Sequence, residues 1–190
     1  MRLRRHSTAR TALIEVAILL ALAVTLLVMG RALACRCGEI ALWSGDIWSN
    51  QNSQQFADPY SLTHVTHGVL LYGALRLLWR SGPLRTRLII ATIIEAAWEV
   101  AENTDFVINR YREATISLDY YGDSVINSTS DVAFCIAGFL LASRLPGRVA
   151  ALGIVALEVV LLFWIRDSLL VNIVMLFYPI AAIRRWQQGG

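Results

Sequence analysis

The sequence predicts an all-α membrane protein, a polytopic bundle of six transmembrane helices with a short interfacial helix after the first span. Hydrophobic residues make up 56% of the 190-residue chain, more than an ordinary soluble domain contains. Apolar runs long enough to cross a bilayer recur between short turns that contain Arg. We expect one membrane domain over residues 1–190, with spans at about 12–31, 61–79, 88–105, 124–143, 149–165 and 168–183.

The first span follows the basic head MRLRRHSTAR and continues through TALIEVAILLALAVTLLVMG. The small residues at Ala32–Ala34 leave a cleaved secretory signal as the alternative. The apolar run exceeds the roughly 7–15 residues of a signal core, which favours an uncleaved span. In the polar segment that follows, Ile40, Trp43 and Ile47 recur at helical spacing, and this pattern predicts the interfacial helix.

The later spans are separated by polar or basic turns. The second, SLTHVTHGVLLYGALRLLW, carries His64 and His67 near its start. The third and fourth are apolar segments interrupted by acids, with a polar loop between them. The basic turn RLPGR precedes the fifth span, and the short turn RDS precedes the sixth.

Arg predicts the orientation, because all basic residues are Arg and cytoplasmic loops are enriched in it. With a cytoplasmic head, the cytoplasmic segments hold Arg2, Arg4, Arg5, Arg10, Arg80, Arg85, Arg87, Arg144, Arg148, Arg184 and Arg185. The outer segments hold Arg31, Arg36, Arg110, Arg112 and Arg166. Both termini are then cytoplasmic. The net charge of +3 comes from these orienting residues, which argues against nucleic acid as a partner.

Two cysteines follow the first span on its outer side, where disulfides can form. Cys35 and Cys37 are one residue apart, a spacing that matches no strong metal or redox motif. Two small residues at a helix end are the simpler interpretation.

Two polar stripes on apolar segments predict a site. Glu95, Glu99 and Glu102 follow i, i+4, i+7 spacing, and Asp123, Asn127 and Asp131 follow i, i+4, i+8 spacing. One charge at the bilayer centre costs about 2.5–3.5 kcal/mol on insertion scales, so central carboxylates need compensation. Neutral carboxyls with raised pKa values, a bound divalent metal ion and a water-filled vestibule remain the three explanations.

Roles follow from residue type. The candidate catalytic acid/base groups are Glu99, Glu102, Asp123 and Asp131. The candidate metal ligands are His64, His67 and Glu99, and the candidate substrate-binding residues are Arg110, Arg112, Asn127 and Arg166. The alternatives are a histidine pair that only hydrogen-bonds between helices and an Asp123 that only caps a helix.

Some of these residues also carry a family resemblance. The runs WEVAENTDFVINRYREATI and DYYGDS resemble those of the bacterial inner-membrane family known as domain of unknown function 2585. That resemblance implies a multi-pass protein of the bacterial inner membrane and assigns no activity. An acid on one span, followed by Arg, Asp, Asn and then Gly138 on the next, is also similar to VanZ-like membrane proteins.

The function that we expect is a periplasm-facing intramembrane polar site that binds or processes a lipid or envelope precursor. The alternatives are a small transporter with Glu95, Asp131 and Glu158 as a proton or cation relay, and a structural or assembly factor. P-loop, H-E-x-x-H, G-x-S-x-G and G-x-G-x-x-G patterns are absent from the sequence. Whether the protein is an enzyme stays open.

Overall fold

The computed structural model describes residues 2–115 and 119–189, with side chains from residue 9 onward. The predicted cytoplasmic residues Arg2, Arg4 and Arg5 therefore have no described side chains, and Ile116, the last residue of the longer family run, lies outside the described residues. The described part contains helices and no strands, which confirms the all-α class. The helices are α1 Arg2–Val28, α2 Ser61–Leu78, α3 Leu84–Glu102, α4 Asp105–Ala114, α5 Val125–Arg144, α6 Gly147–Trp164, α7 Leu169–Phe177 and α8 Ala181–Gln187.

The prediction of six membrane spans is confirmed only in part. Within the described residues, three helices are long and apolar enough to cross a membrane: Ala9–Val28, Val125–Arg144 and Gly147–Trp164. Helices α2 and α3 are of similar length, with 18 and 19 residues. They carry the histidines and the glutamate stripe, and α3 also holds Arg85 and Arg87. These polar residues reduce the mean hydropathy of both helices.

The predicted sixth span is wrong, because residues 168–183 do not form one helix. They form the nine-residue α7 and the start of the seven-residue α8, separated at Tyr178–Ile180. Pro179 lies in the break. Proline has no backbone N–H to donate and disfavours helical dihedral angles in the residue before it, so the apolar run is interrupted there.

Because the run is broken, α8 lies at the same end of the bundle as the turn after α6. The Arg166 guanidinium, in the turn after α6, donates a hydrogen bond to the Trp186 carbonyl at 3.1 Å. Arg184 donates to the Glu113 carbonyl in α4 at 3.2 Å. Helix α8 thus lies at the end of the bundle where α1 finishes, while α1 begins at the other end. The prediction that both termini are cytoplasmic stays a prediction.

The predicted interfacial helix is also wrong. Residues 29–60 form turns, bends and irregular backbone, so Ile40, Trp43 and Ile47 do not lie on a helix despite their helical spacing. Trp43 instead stacks on Trp164 at the end of α6, with ring centroids 6.1 Å apart. Cys35 and Cys37 form a disulfide in this segment.

The segment before α2 is fixed to the start of α5 by buried hydrogen bonds. The backbone N–H of Ser124 donates to the Ser53 carbonyl at 3.0 Å. Its hydroxyl donates to the Gln54 carbonyl at 2.9 Å, and Asn127 Nδ2 donates to the Gln55 carbonyl at 3.0 Å. These bonds satisfy backbone groups that have no secondary-structure partner. Residues 53–58 therefore cover one end of the bundle as a cap, which we call the outer cap.

The most extensive helix contact joins α2 and α5, and it depends on two glycines. A Cβ at Gly68 would lie 2.0 Å from the Cys135 carbonyl oxygen, and a Cβ at Gly138 would lie 2.2 Å from the Val65 carbonyl oxygen. Only residues without a side chain permit this approach. The close packing places the first turns of α2 directly opposite the acid stripe of α5.

Two apolar clusters support the helices around these acids. Tyr72, Leu88, Ala91, Phe139 and Ala142 pack together where α2 and α5 end and α3 begins. A second cluster joins α1 to α5 and consists of Leu22, Leu26, Val125 and Val132. The space between α2, α3 and α5 is therefore mainly apolar at the end away from the outer cap, where Arg76 and Arg87 border Tyr72, and acidic near the outer cap.

Candidate functional site

A cavity of about 430 Å³ lies beneath the outer cap. Helices α2, α3 and α5 provide both histidines and most of its acids, and α2, α3 and α7 provide its apolar side chains. Its polar lining includes His64, His67, Glu95, Glu102, Tyr120, Asp123, Asn127 and Asp131. Its apolar lining includes Leu70, Leu71, Ile94, Ile173, Leu176 and Phe177. The cavity is therefore amphipathic, with acids and imidazoles facing aliphatic and aromatic side chains.

The deepest polar group is a pair of histidines that share one carboxylate oxygen. His64 and His67 are three residues apart on α2, so both imidazoles project from one helix face. The His64 Nδ1 atom lies 2.6 Å from Glu95 Oε1, and the His67 Nδ1 atom lies 2.8 Å from the same oxygen. The two rings are 4.9 Å apart and nearly perpendicular. Both imidazoles therefore contact the same oxygen, Glu95 Oε1.

Two further acids beside this pair have carboxylate oxygens without hydrogen-bond partners. Glu99 is fully buried, and neither of its carboxylate oxygens has a partner in the described part of the chain. His64 Nδ1 is 3.4 Å from Glu99 Oε1, but it is already bonded to Glu95 at the shorter distance. Asp131 is 4% exposed, and its Oδ1 is also unpartnered. Unpaired buried acids are costly, so this cluster has a strong affinity for protons or cations.

At the outer end of the cavity, Asp123 is held by neutral donors. The Tyr120 hydroxyl donates to Asp123 Oδ1 at 2.9 Å, and Asn103 Nδ2 donates to Asp123 Oδ2 at 3.2 Å. The Asn103 carbonyl oxygen in turn accepts the backbone N–H of Asp123 at 2.8 Å. Burial dominates these bonds and raises the pKa of Asp123 to about 7. This carboxyl can therefore exchange a proton near neutral pH.

The structure brings most of the predicted polar residues together. Glu102, Asp123, Asn127 and Asp131 all line the cavity, as do both histidines. Glu99 lies beside the histidines, within the protein. The two polar stripes therefore form one site, as their spacing predicts. The catalytic and binding roles of these residues stay predictions.

The three arginines predicted to bind substrate do not line this cavity. Arg110 Nε donates to the Leu176 carbonyl at 2.7 Å and so links α4 to α7. Arg112 donates to the Tyr120 carbonyl, and Arg166 donates to the Trp186 carbonyl. The Arg110 and Arg166 contacts join segments that are 66 and 20 residues apart, and the Arg112 contact spans eight residues. A substrate role for these side chains has no support from these positions and stays a prediction.

The groups of side chains that could hold a metal ion differ from the predicted set. Ligand atoms of His64, His67 and Glu95 all lie within 4.8 Å of one another, and the same holds for His64, Glu99 and Glu102. The predicted set instead combines both histidines with Glu99. Glu95 occupies that position because it is one helical turn before Glu99 and faces both imidazoles.

Sequence reasoning missed several residues of the outer cap. Asp58 Oδ1 accepts the backbone N–H groups of Tyr60 and Ser61 and so begins α2, and burial raises the pKa of its carboxyl. The Asp-Pro pair ahead of an apolar run was the available signal. Asn103 was also missed, although it lies four residues after Glu99 and continues the same stripe.

Comparison with known proteins gives a family without an assigned activity. Residues 26–189 match the family described as protein of unknown function DUF2585. A UPF0314 protein of Sinorhizobium fredii is 52% identical over 161 residues, 85% of this chain and 82% of the relative. UPF0314 proteins of Rhizobium meliloti and Sphingopyxis alaskensis are 49% and 46% identical, covering 95% and 94% of this chain and 93% and 95% of those relatives. No solved structure matches the chain.

Proposed function

The chain belongs to the DUF2585 family, and from its geometry we propose that it is a multi-pass protein of the bacterial inner membrane that binds an amphipathic lipid or envelope precursor. The family match confirms the resemblance to domain of unknown function 2585, while the likeness to VanZ-like proteins stays a prediction. The observation that carries this function is the amphipathic cavity, since one wall suits a polar head group and the other suits an alkyl chain.

The apolar lining reaches the outside of the bundle, which supports access from the bilayer. Leu70, Ile94 and Ile173 line the cavity and are between 44% and 49% exposed, and Phe177 is 78% exposed. These residues come from α2, α3 and α7, so the exposed apolar rim lies at the side of the bundle. An alkyl chain can rest on this rim while its head group enters the polar part.

The polar wall indicates the chemistry of that head group. The cavity lining contains carboxylates, imidazoles, hydroxyls and amides, and no arginine lines it within the described residues. Acceptor-rich walls favour ligands that donate hydrogen bonds, such as amines and hydroxyls. We therefore propose an envelope lipid, or a lipid-linked precursor, with a head group that donates hydrogen bonds.

The end of the bundle away from the outer cap is closed, which supports binding rather than transport. Tyr72, Leu88 and Phe139 fill the space between α2, α3 and α5, and each is at most 9% exposed. A proton or cation pathway would require polar groups at this level. The polar groups that meet this cluster are basic: Arg76 donates a hydrogen bond to the Tyr72 hydroxyl at 2.7 Å, and the buried Arg87 guanidinium lies over the Tyr72 ring. Their positive charge disfavours the passage of a cation at this level.

The distribution of Arg residues supports an orientation in which the cavity faces the periplasm. Arg80, Arg85, Arg144 and Arg148 lie at the turns before α3 and between α5 and α6. These turns belong to the closed end, so the positive-inside rule assigns this end to the cytoplasm. The outer cap and its cavity then face the periplasm.

Photo-crosslinking tests this function. The full chain in detergent would be mixed with phosphatidylethanolamine that carries a diazirine in its acyl chain, illuminated and mapped by mass spectrometry. Labelling should concentrate on the apolar rim, at Leu70, Ile94 and Ile173. Phosphatidic acid with the same acyl chains should label the rim several-fold less, because its head group lacks the amine.

Two variants on α7 provide a matched comparison. Asn172→Trp fills the cavity from within and should reduce labelling of the rim at least fivefold. Leu170→Trp adds the same side chain at a residue that is 67% exposed and outside the cavity lining, and it should leave labelling unchanged. Equal labelling of the rim and the exposed face of α6, unaffected by Asn172→Trp, would refute the proposed binding.

A further inference from the structure

We infer that His64, His67 and Glu95 form a binding site for a divalent first-row transition metal ion. Both Nδ1 atoms lie within 2.8 Å of Glu95 Oε1. The three ligand atoms lie within 4.8 Å of one another, at the deep end of the cavity. Two imidazoles and one carboxylate directed at a single point provide three of the four ligands that zinc takes in catalytic sites.

The spacing of the donors suits an ion after a small adjustment. Zinc bonds of about 2.0–2.1 Å in a tetrahedral arrangement separate neighbouring donor atoms by about 3.3 Å. The present separations of 2.6 and 2.8 Å would have to widen by less than about 1 Å. His67 is partly exposed to the cavity, so its ring has room for this movement.

The surrounding acids provide the independent reason for a cation. Two neutral imidazoles that donate hydrogen bonds to the Glu95 carboxylate stabilise Glu95, but they provide no donor for the Glu99 carboxylate. Both Glu99 oxygens and Asp131 Oδ1 remain without partners at residues that are more than nine-tenths buried. A divalent ion next to them compensates this negative charge, which hydrogen bonds between histidine and glutamate do not.

Asp131 is positioned to orient the His64 ring. Its Oδ2 lies 3.7 Å from His64 Nε2, on the other side of the imidazole from Glu95. Metal-bound histidines commonly direct their second ring nitrogen toward a carboxylate, which fixes the tautomer and orients the ring. This separation is too long for a hydrogen bond and would shorten if the ring turned toward the ion.

The donor set selects among metals. Imidazole favours zinc and neighbouring transition ions, whereas magnesium and calcium prefer oxygen-only sites. A fourth position would open toward the cavity and would take water or an oxygen of the bound head group. The three protein ligands are independent of any lipid, so only the identity of this fourth ligand rests on the proposed function.

Metal content tests the site. The full chain would be purified in detergent with a peptide tag that contains no histidine, from cells grown with trace metals, and measured by inductively coupled plasma mass spectrometry. The wild type should hold close to one transition ion per chain. After removal with a chelator it should rebind Zn²⁺ in preference to Mg²⁺ at neutral pH.

Two variants separate the site from the rest of the protein. His67→Asn keeps a donor near Glu95 but removes an imidazole, and it should lower metal content at least tenfold. Glu113→Gln removes an exposed acid of α4 and should leave metal content unchanged. X-ray absorption at the zinc edge of the wild-type protein should show imidazole ligands, and this measurement needs no variant to fold.

Three results would overturn the site: wild-type protein that binds no Zn²⁺ after the chelator is dialysed away, metal content unchanged in a folded His67→Asn variant, or an absorption spectrum without imidazole. The crosslinking experiment is independent of these results. Lipid labelling without metal would reject the ion alone, and metal without labelling would reject the lipid alone.

Discussion

Replacing Gly68 with alanine should separate α2 from α5 and destabilise the protein. The new Cβ would lie 2.0 Å from the Cys135 carbonyl oxygen, whereas ordinary contacts begin at 3.4 Å. Because the opposing atom belongs to the backbone, the helices must move apart by roughly 1.4 Å. Overpacking of this kind costs about 1–3 kcal/mol, and the backbone contact places this case near 3. Alanine recovers up to about 1 kcal/mol of helix propensity, which leaves a net loss of about 2.

A loss of this size should lower the melting temperature by about 4–8 °C for a chain of this length. The assay is thermal unfolding in detergent, followed by size-exclusion chromatography or intrinsic fluorescence. Gly73→Ala is the matched control, because it lies on the same helix and its Cβ would have no atom within 4 Å. A Gly68→Ala variant that melts at or above Gly73→Ala would refute the close contact of α2 and α5.

The same structure makes three further predictions. Alkaline phosphatase fused to the C-terminus should be active in whole cells, because α8 lies at the outer end, whereas a fusion after Ser81 should be inactive; two inactive fusions would support six spans instead. Burial raises the pKa of Asp123 from 3.8 to about 7. The protonated carboxyl therefore stabilises the fold fully below about pH 4, and this contribution is lost as the pH rises through 7. Asp123→Asn should flatten the pH dependence of the melting temperature between about pH 4 and pH 7. Asn103→Ala removes the amide that bonds both the carboxylate and the backbone N–H of buried Asp123, and should cost about 2–3 kcal/mol in denaturant unfolding. The exposed control Asn109→Ala should stay within about 0.5 kcal/mol.

Helical periodicity made the clustering of polar residues predictable. Glu95, Glu99 and Glu102 share one face of any α-helix, as do Asn127 and Asp131, and an apolar environment requires such faces to meet. Which glutamate meets both histidines depends on the rotation of α3 about its axis. That angle is set by tertiary packing, including the glycine contact between α2 and α5, and cannot be read from spacing.

The errors in the fold have similarly specific causes. The sixth apolar run has the composition of a span, but Pro179 interrupts its backbone hydrogen bonding, and average hydropathy does not register this. The helical spacing of Ile40, Trp43 and Ile47 arises in a segment whose backbone bonds to the start of α5, about 70 residues away. Local patterns contain no information on such a distant partner.

The order of the helices has a consequence for insertion of the nascent chain. His64 and Glu95 lie on consecutive long helices, so the α2–α3 hairpin can mask Glu95 as soon as α3 leaves the ribosome. The Asn103 amide finds its partners Asp123 and Ser128 only after α5 has been synthesised. Glu95 therefore has its histidine partners within the first hairpin, whereas the Asn103 amide depends on a helix that is synthesised later.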